Sequence, residues 1–251
     1  MLDAWRLAVG TLTAVPVGGP VTVDRRTAGR AMALAPLAVL PLGLMVGLIG
    51  WLALRLDLAP LVAAFLAVGA LAAGSRALHW DGLSDVVDGL TSSYSPERSL
   101  AVMKSGTSGP AGVVAVVVVL GLQVAGLASL LVLDRGFLLA GLLVCLSRCA
   151  LVITCARGVR GARADGLGVT YTQTVSRALA LSVWLLAALL AALVADWVGF
   201  AWWRGLLAAA VAVVVVLVLV RRTVRRFGGV TGDVFGAAME LALAALLVVF
   251  S

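Results

Sequence analysis

The sequence predicts an all-α integral membrane protein, a polytopic helical bundle with about seven transmembrane helices. Three observations predict it. Hydrophobic residues make up 63% of the 251 residues and charged residues only 12%, which is far from the composition of a soluble domain. Apolar runs of about 20 residues, each long enough to cross the hydrocarbon core, recur along the chain. Arginines and lysines gather in alternate loops between those runs, as expected of a membrane protein.

The predicted spans belong to a single domain, residues 1–251, because the loops are short and no change of composition marks a second unit. The first 16 residues hold an apolar run that is too short to cross a bilayer and follows no basic segment. We therefore expect an interfacial or re-entrant segment there, not a cleaved signal peptide. The seven spans are predicted at residues 31–54, 58–78, 111–133, 136–156, 179–199, 205–220 and 234–250.

Charge placement predicts the orientation in the membrane. When the loops are assigned alternately to the two sides, 15 of the 19 lysines and arginines fall on one side and 3 on the other, while Arg148 lies within a span. Basic residues in short loops stay in the cytoplasm. The prediction is therefore a cytoplasmic N-terminus in a bacterial cell membrane, an external C-terminus and polar loops that open to the cytoplasm. The net charge of +7 is explained by the basic residues in the loops of a protein embedded in the lipid bilayer. We expect no nucleic-acid partner, because the sequence has no basic stripe interleaved with aromatic residues.

One polar stretch stands out, residues 79–90 with the sequence HWDGLSDVVDGL. Asp81, Asp85 and Asp88 are spaced i, i+4 and i+7, so on a helix they project from one face. Three like charges repel one another unless a cation joins them, and Mg²⁺ binds a few carboxylates together with substrate phosphates. Gly82 and Gly89 let a ligand or a backbone approach closely. The alternative is a solvated acidic helix end or a set of salt bridges.

Other polar residues lie in apolar surroundings and need a reason. Arg148, which follows Ser147, either forms a structural ion pair with Glu240 or binds phosphate. Asp233 and Glu240, at i and i+7, share a helix face and either pair with a cation or help to hold a metal. His79 is the only histidine. It is a general base, a phosphate ligand or a structural histidine.

The residues after the acidic stretch predict a short helix and a turn. Ser95 before Pro96 is a typical helix start, so a helix is expected from Pro96 to Lys104. The glycine-rich turn at residues 105–112 presents backbone N–H groups that can cradle an anion, and a plain connecting loop has the same composition. The three cysteines lie in one apolar stretch, which argues against a disulfide framework.

Taken together, these motifs resemble the cobalamin synthase family, the adenosylcobinamide-GDP ribazoletransferases. Residues 79–90 are similar to the family signature HLDGLADTADGL, and residues 231–241 follow its TGDxLGAxxEL pattern. The resemblance continues at residues 12–17, 147–148 and 165–168, so that it covers nearly the whole chain. The family's MKDSRIGxxG loop is altered here, with Ser105 and Thr107 in place of an acidic residue and an arginine.

The resemblance implies the last joining step of cobalamin biosynthesis. Adenosylcobinamide phosphate would pass from adenosylcobinamide-GDP to the 5′-hydroxyl of α-ribazole, or to α-ribazole 5′-phosphate as acceptor, with release of GMP and a need for Mg²⁺. Self-association into a homo-oligomer is left open. The implied metal ligands are Asp81, Asp85, Asp88, Asp233 and Glu240. Asp88 or His79 would take the proton from the hydroxyl, and Lys104 and Arg148 would neutralise phosphoryl oxygens. The implied substrate contacts are Arg76, Gly82, Gly89, Ser147, Gly166, Gly168, Thr231 and Gly232.

Two other functions compete with this interpretation. A membrane phosphotransferase of the CDP-alcohol type also uses aspartates on cytoplasmic helices, but it usually has wider spacing between the later aspartates and an arginine that is absent here. An ion-coupled transporter would use Glu240, Arg148 and Asp233 as a buried polar relay. That account leaves the three aspartates of residues 81–88 without a purpose.

Overall fold

The chain is helical throughout the part that the structure describes. The computed structural model describes residues 1–92, 95–163 and 167–251, so that Gly166, a predicted substrate contact, lies outside the described residues. The helices are α1 (Leu2–Leu12), α2 (Arg25–Ala38), α3 (Leu40–Arg55), α4 (Pro60–Gly74), α5 (Leu78–Ser92), α6 (Pro96–Met103), α7 (Pro110–Leu131), α8 (Gly136–Ser147), α9 (Ala150–Thr154), α10 (Leu167–Tyr171), α11 (Arg177–Val198), α12 (Trp203–Phe227) and α13 (Gly232–Val248).

Most of these helices are membrane elements. Within the described residues, five helices or near-continuous helix pairs are long and apolar enough to cross a bilayer: Arg25–Arg55, Pro110–Leu131, Gly136–Thr154, Arg177–Val198 and Trp203–Phe227. Helix α4 supplies a sixth element; it is apolar and long enough only when counted with α5, and a 90° bend between the two turns α5 out of the direction of α4. Helix α13, with 17 residues, is about 25 Å long and completes a set of seven. The prediction of an all-α membrane bundle with about seven spans is confirmed.

Some boundaries differ from the prediction, for physical reasons. Helix α12 continues to Phe227, although its apolar run ends at Val220, so the arginines at 221–226 lie on the helix and not in a loop. The fourth span is interrupted between α8 and α9, at Arg148. The predicted helix after the acidic stretch is confirmed as α6, where the Ser95 side chain accepts a hydrogen bond from the Arg98 N–H.

Helix α13 lies at the centre and contacts α5, α7, α8, α9 and α12. Its residues are buried almost without interruption from Val234 to Leu247. Around it, small residues let helices approach one another. A Cβ added to Gly43 on α3 would lie 2.5 Å from the Gly141 carbonyl oxygen on α8. Such glycine contacts are typical of helix packing in membranes, where the lipid gives no hydrophobic drive for helices to associate.

A sharp bend between α4 and α5 positions the acidic stretch. Arg76 and Ala77 both have left-handed backbones, with φ of 58° and 54°, and such residues cost of order 1–3 kcal/mol each unless their surroundings hold them. Here the Ala14 N–H donates to the Gly74 carbonyl (2.6 Å), and Arg76 Nη2 donates to the Gly10 carbonyl at the end of α1 (2.7 Å). The bend therefore turns α5 away from the direction of α4 and places it against the N-terminus of α13.

The three arginines predicted on the external side share one arrangement. Each guanidinium carbon lies 5.1 to 5.3 Å from the centre of an aromatic ring, a cation–π geometry suited to a headgroup region. The pairs are Arg55 with Trp51, Arg135 with Trp197, and Arg204 with Phe200.

Candidate active site

The acidic face of α5 is present as predicted, but its members differ in burial. Asp81 is exposed, Asp85 is half-buried and Asp88 is buried. Burial and the negative charges of Asp81, Asp233 and Asp88 raise the pKa of Asp85 to about 6. This part of α5 lies outside the five long apolar helices. The face therefore carries more negative charge than its own cations neutralise, which is the electrostatic condition for binding a cation.

Asp233 joins this face because two helices pack without side chains between them. A Cβ on Gly82 of α5 would lie 2.6 Å from the Asp233 carbonyl oxygen, and a Cβ on Gly236 of α13 would lie 2.9 Å from the His79 Cα. The Thr231 hydroxyl donates to Asp233 Oδ2 (3.0 Å) and fixes the orientation of the carboxylate. Gly82, predicted as a substrate contact, therefore serves the approach of α13 to α5.

Two loops complete the surroundings of the acidic face. The Ala162 N–H donates to the Val230 carbonyl and the Val230 N–H to the Arg160 carbonyl, both at 2.9 Å, which ties residues 160–162 to the turn before α13. The backbone of Gly168 also lies against Val230, since an added Cβ would be 3.1 Å from its carbonyl oxygen. The predicted contacts Gly168, Thr231 and Gly232 are thus brought together beside Asp233.

Arg163 is a functional candidate that the sequence analysis did not single out. Its Nη2 donates to the Leu100 carbonyl on α6 (2.9 Å), and its positive charge lowers the pKa of Asp85. In the sequence it is one of several arginines in a loop, where it contributes to the positive charge that predicts the orientation. No local signal separates it from its neighbours, because its place depends on how α6 packs on α5.

Both carboxylate oxygens of Asp88, the predicted metal ligand and proton acceptor, accept hydrogen bonds from the backbone. Its Oδ2 accepts a hydrogen bond from the Gly109 N–H (2.7 Å) and its Oδ1 accepts one from the Gly112 N–H (2.8 Å). Both N–H groups stand at the start of α7, where a helix has unpaired donors and a positive dipole end. Asp88 therefore caps α7 and anchors the loop that begins at the exposed Lys104.

Glu240 and Arg148, predicted near metal and phosphate, lie instead in a buried polar cluster. Gln123 Nε2 donates to Glu240 Oε2 (2.8 Å), and Glu240 Oε1 lies 3.4 Å from His79 Nδ1. Arg148 is fully buried and donates from Nη1 to the Ser147 hydroxyl (2.7 Å) and the Val144 carbonyl (3.2 Å). Within the described chain, its Nε and Nη2 have no hydrogen-bond partner. This cluster balances one cation with one anion inside the bundle.

The cluster is separate from the acidic face. Glu240 is seven residues beyond Asp233, about 10 Å deeper along α13, and it is not among the charges that act on Asp85. His79 precedes Asp81 by two residues, which places it about 200° around α5. It lines a different cavity of about 100 Å³, together with Thr11, Tyr171 and Gly232. Of the five predicted metal ligands, the structure places Asp81, Asp85 and Asp233 near one another, with Asp88 hydrogen-bonded to the start of α7 and Glu240 deeper in the bundle.

The remaining predicted contacts have structural partners. The Arg76 guanidinium donates to carbonyls at the end of α1, and the Ser147 hydroxyl donates to the Val144 carbonyl (2.8 Å). Gly89 lies against Met103 and Phe227, where a Cβ would be 2.7 Å from the methionine side chain. Arg76 and Gly89 thus join neighbouring helices, whereas the Ser147 hydroxyl bonds within α8.

The acidic face suits Mg²⁺ by its donors. Among the residues that the structure describes, no three His, Cys, Asp or Glu side chains converge so that they could hold a metal ion. Mg²⁺ seldom uses such a set, since it binds one or two carboxylates and takes substrate phosphates and water as its other ligands. Hard oxygen donors under mutual repulsion, as at Asp85, fit that requirement.

Comparison with known proteins gives one consistent result. A family model described as Cobalamin-5-phosphate synthase matches residues 4–251. A protein of Nocardioides sp. named adenosylcobinamide-GDP ribazoletransferase is 61% identical over 100% of this chain and 99% of its own. Proteins of the same name from Frankia casuarinae (38% identical, 100% of this chain and 95% of the relative) and Ectopseudomonas mendocina (36%, 96% and 96%) are also similar. No solved structure matches.

Proposed function

The chain belongs to the cobalamin-5-phosphate synthase family, and from that premise we propose that it transfers adenosylcobinamide phosphate from adenosylcobinamide-GDP to α-ribazole or α-ribazole 5′-phosphate, with release of GMP. The resemblance that the motifs indicated is confirmed over the full chain. Because the chain belongs to this family, we set aside the interpretations as a CDP-alcohol phosphotransferase and as a transporter.

The observation that carries the proposal for the site is the meeting of Asp81, Asp85 and Asp233 at the contact between α5 and α13. These carboxylates would hold Mg²⁺, which when bound neutralises pyrophosphate oxygens and orients them for displacement. Asp88 would act on the reaction through the loop it anchors, because both of its oxygens accept backbone hydrogen bonds.

Cations around the acidic face would bind the phosphoryl oxygens. Arg163 is held beside Asp85 by its hydrogen bond to the Leu100 carbonyl, and guanidinium groups suit phosphate because they donate in pairs. Lys104 stands at the end of α6, at the start of the loop that Asp88 anchors. The proton of the attacking hydroxyl would pass to a carboxylate of the acidic face that is not bound to metal.

The attacking hydroxyl follows from the description of the family. A cobalamin-5-phosphate synthase makes a product that keeps a phosphate at the 5′ position. An acceptor whose 5′ oxygen already carries phosphate has no free 5′-hydroxyl to attack the pyrophosphate and displace GMP. We therefore replace the 5′-hydroxyl of the sequence analysis with another hydroxyl of the ribose, for both forms of the acceptor.

The apolar helices indicate an integral membrane protein, and we propose the bacterial cytoplasmic membrane with the acidic face toward the cytoplasm. The loop at 155–163, the turn before α13 and helix α5 lie together in the structure, and the loop at 155–163 carries three arginines, as the positive-inside rule requires of cytoplasmic loops. The proposal needs no second copy of the chain.

The test uses purified protein in lipid with Mg²⁺, adenosylcobinamide-GDP and either acceptor, and follows GMP and the corrinoid product. We expect turnover that requires Mg²⁺ and falls at least a hundredfold in Asp85→Asn. Asp134→Asn, which removes an exposed aspartate from the turn between α7 and α8, is the matched control and should retain activity. Well-folded wild type that forms no product with either acceptor would refute the proposal and direct the assay to cytidine nucleotides.

A further inference from the structure

A basic cavity lies at the far end of α5. It has a volume of about 400 Å³ and opens between the C-terminal end of α5 and that of α12. We call it the arginine cavity. The described residues that line it are Leu90, Thr91, Arg222, Arg225 and Arg226.

The charge in the arginine cavity is strongly positive. Its described lining includes three guanidinium groups and no acidic side chain. Two helices end here, and each helix end contributes about −0.5 of an elementary charge. The sum is about +2, which matches a phosphomonoester, since such a group carries about −1.5 to −2 near pH 7. The cavity is therefore suited to a phosphate monoester.

The three arginines of the cavity are not all held in the same way. Arg25, Arg163 and Arg177 each donate to a backbone carbonyl. Arg226 does the same within the cavity, donating to the Leu90 carbonyl (3.2 Å), and so joins α12 to α5. For Arg222 and Arg225, no hydrogen bond or ion pair is found within the described residues. Their donors are available to a ligand.

The cavity is within reach of the acidic face. Thr91 follows Asp85 by six residues, about 9 Å along α5 and about 120° around it, so one helix connects the two places. We propose that the arginine cavity binds the phosphomonoester of the acceptor, the 5′-phosphate of α-ribazole 5′-phosphate, while the reacting hydroxyl lies toward the acidic face. This proposal rests on the proposed function and names the acceptor form that the site prefers.

The anionic headgroup of a lipid offers the same phosphate chemistry, because arginines at a helix end near a membrane also bind headgroups. The acceptor is favoured by position: the cavity includes the end of the helix that carries the acidic face. The two sources are distinguished by measuring both acceptors and by varying the lipid.

The experiment measures kcat/KM for α-ribazole 5′-phosphate and for α-ribazole with Arg222→Gln, Arg225→Gln and the double variant, in vesicles of neutral lipid and in vesicles that contain anionic lipid. We expect the ratio of the two kcat/KM values to fall at least tenfold in each single variant, about 1.4 kcal/mol, and further in the double variant. Arg221→Gln is the matched control, because Arg221 is exposed on the same helix and does not line the cavity; it should keep the wild-type ratio. Arg226 is left intact, since it holds α5 to α12.

Each outcome decides the question. A ratio that is the same in wild type and all variants would refute the phosphate assignment, with the proposed function intact as long as GMP is released. An equal loss with both acceptors that depends on anionic lipid would assign the cavity to a headgroup and also refute it. Absence of GMP release in wild type, by contrast, is a failure of the proposed function itself.

Discussion

Asp88→Asn is the sharpest perturbation of the candidate site, because it separates an anchoring role from a chemical one. The carboxylate accepts hydrogen bonds from the Gly109 and Gly112 N–H groups. Asparagine has one acceptor oxygen and turns an NH₂ group toward the second N–H. One bond to a charged acceptor, about 1.5–3 kcal/mol, is lost, and the other becomes a neutral bond of about 1 kcal/mol. We expect the free energy of unfolding to fall by about 2–5 kcal/mol.

The same change should lower turnover through the loop. Without its anchor, the segment from Lys104 to Gly109 is no longer fixed beside the acidic face. We expect kcat to fall at least tenfold, and saturating Mg²⁺ should not restore it, since no metal ligand is lost. The measurements are the thermal unfolding transition in detergent and GMP release as a function of Mg²⁺ concentration.

Asp85→Asn is the comparison that makes the result interpretable. It removes a carboxylate that burial and three neighbouring aspartates make unfavourable as a charge, so the variant should unfold at the wild-type temperature or above it, and its turnover should need more Mg²⁺. The anchoring role of Asp88 would be refuted by an Asp88→Asn protein of wild-type stability. Recovery at high Mg²⁺ would then make Asp88 a metal ligand, and no recovery would make it the proton acceptor.

Three further predictions test other parts of the structure. The pKa of Asp85 is raised to about 6, so below pH 6 this carboxyl keeps a proton that Mg²⁺ must displace. The Mg²⁺ concentration for half-maximal turnover should therefore fall as the pH rises from 5 to 7. A concentration that does not change with pH would contradict this prediction. Gly82→Ala places a Cβ 2.6 Å from the Asp233 carbonyl and should cost about 1–3 kcal/mol of stability together with activity, whereas Gly69→Ala, with nothing within 4 Å, should change neither in the same melts and assays. Glu240→Gln should destabilise by about 3–5 kcal/mol by leaving Arg148 as an uncompensated buried cation, and adding Arg148→Met should restore at least half in a double-mutant cycle.

The membrane architecture was accessible from the sequence because bilayer thickness sets the length of an apolar run. The predicted spans at 111–133 and 179–199 match Pro110–Leu131 and Arg177–Val198 within two residues at each end. The acidic stretch was equally readable, because its spacing alone places three aspartates on one face of a helix.

Other features depend on neighbours and could not be read from the chain. The left-handed backbones of Arg76 and Ala77 fall on residues that are not glycines, and contacts with the N-terminal segment hold them: the Ala14 N–H donates to the Gly74 carbonyl, and Arg76 donates to the Gly10 carbonyl. The predicted span ends at residue 220, seven residues before the end of α12 at Phe227, for another reason. Hydropathy falls where arginines begin, but arginine is a good helix former, so the helix continues beyond the apolar run to Phe227.

The division of the predicted carboxylates shows what periodicity does and does not determine. Asp233 and Glu240 share a face of α13, yet two helical turns separate them, so one meets the acidic face and the other meets His79 and Gln123 in the bundle. Asp85 and Asp88 share a face of α5, yet α7 begins beside only one of them and takes both of its oxygens. A spacing of three or four residues therefore predicts the face of a helix from which a side chain projects. Whether a carboxylate caps a helix, balances a buried arginine or holds a metal depends on which element packs beside it.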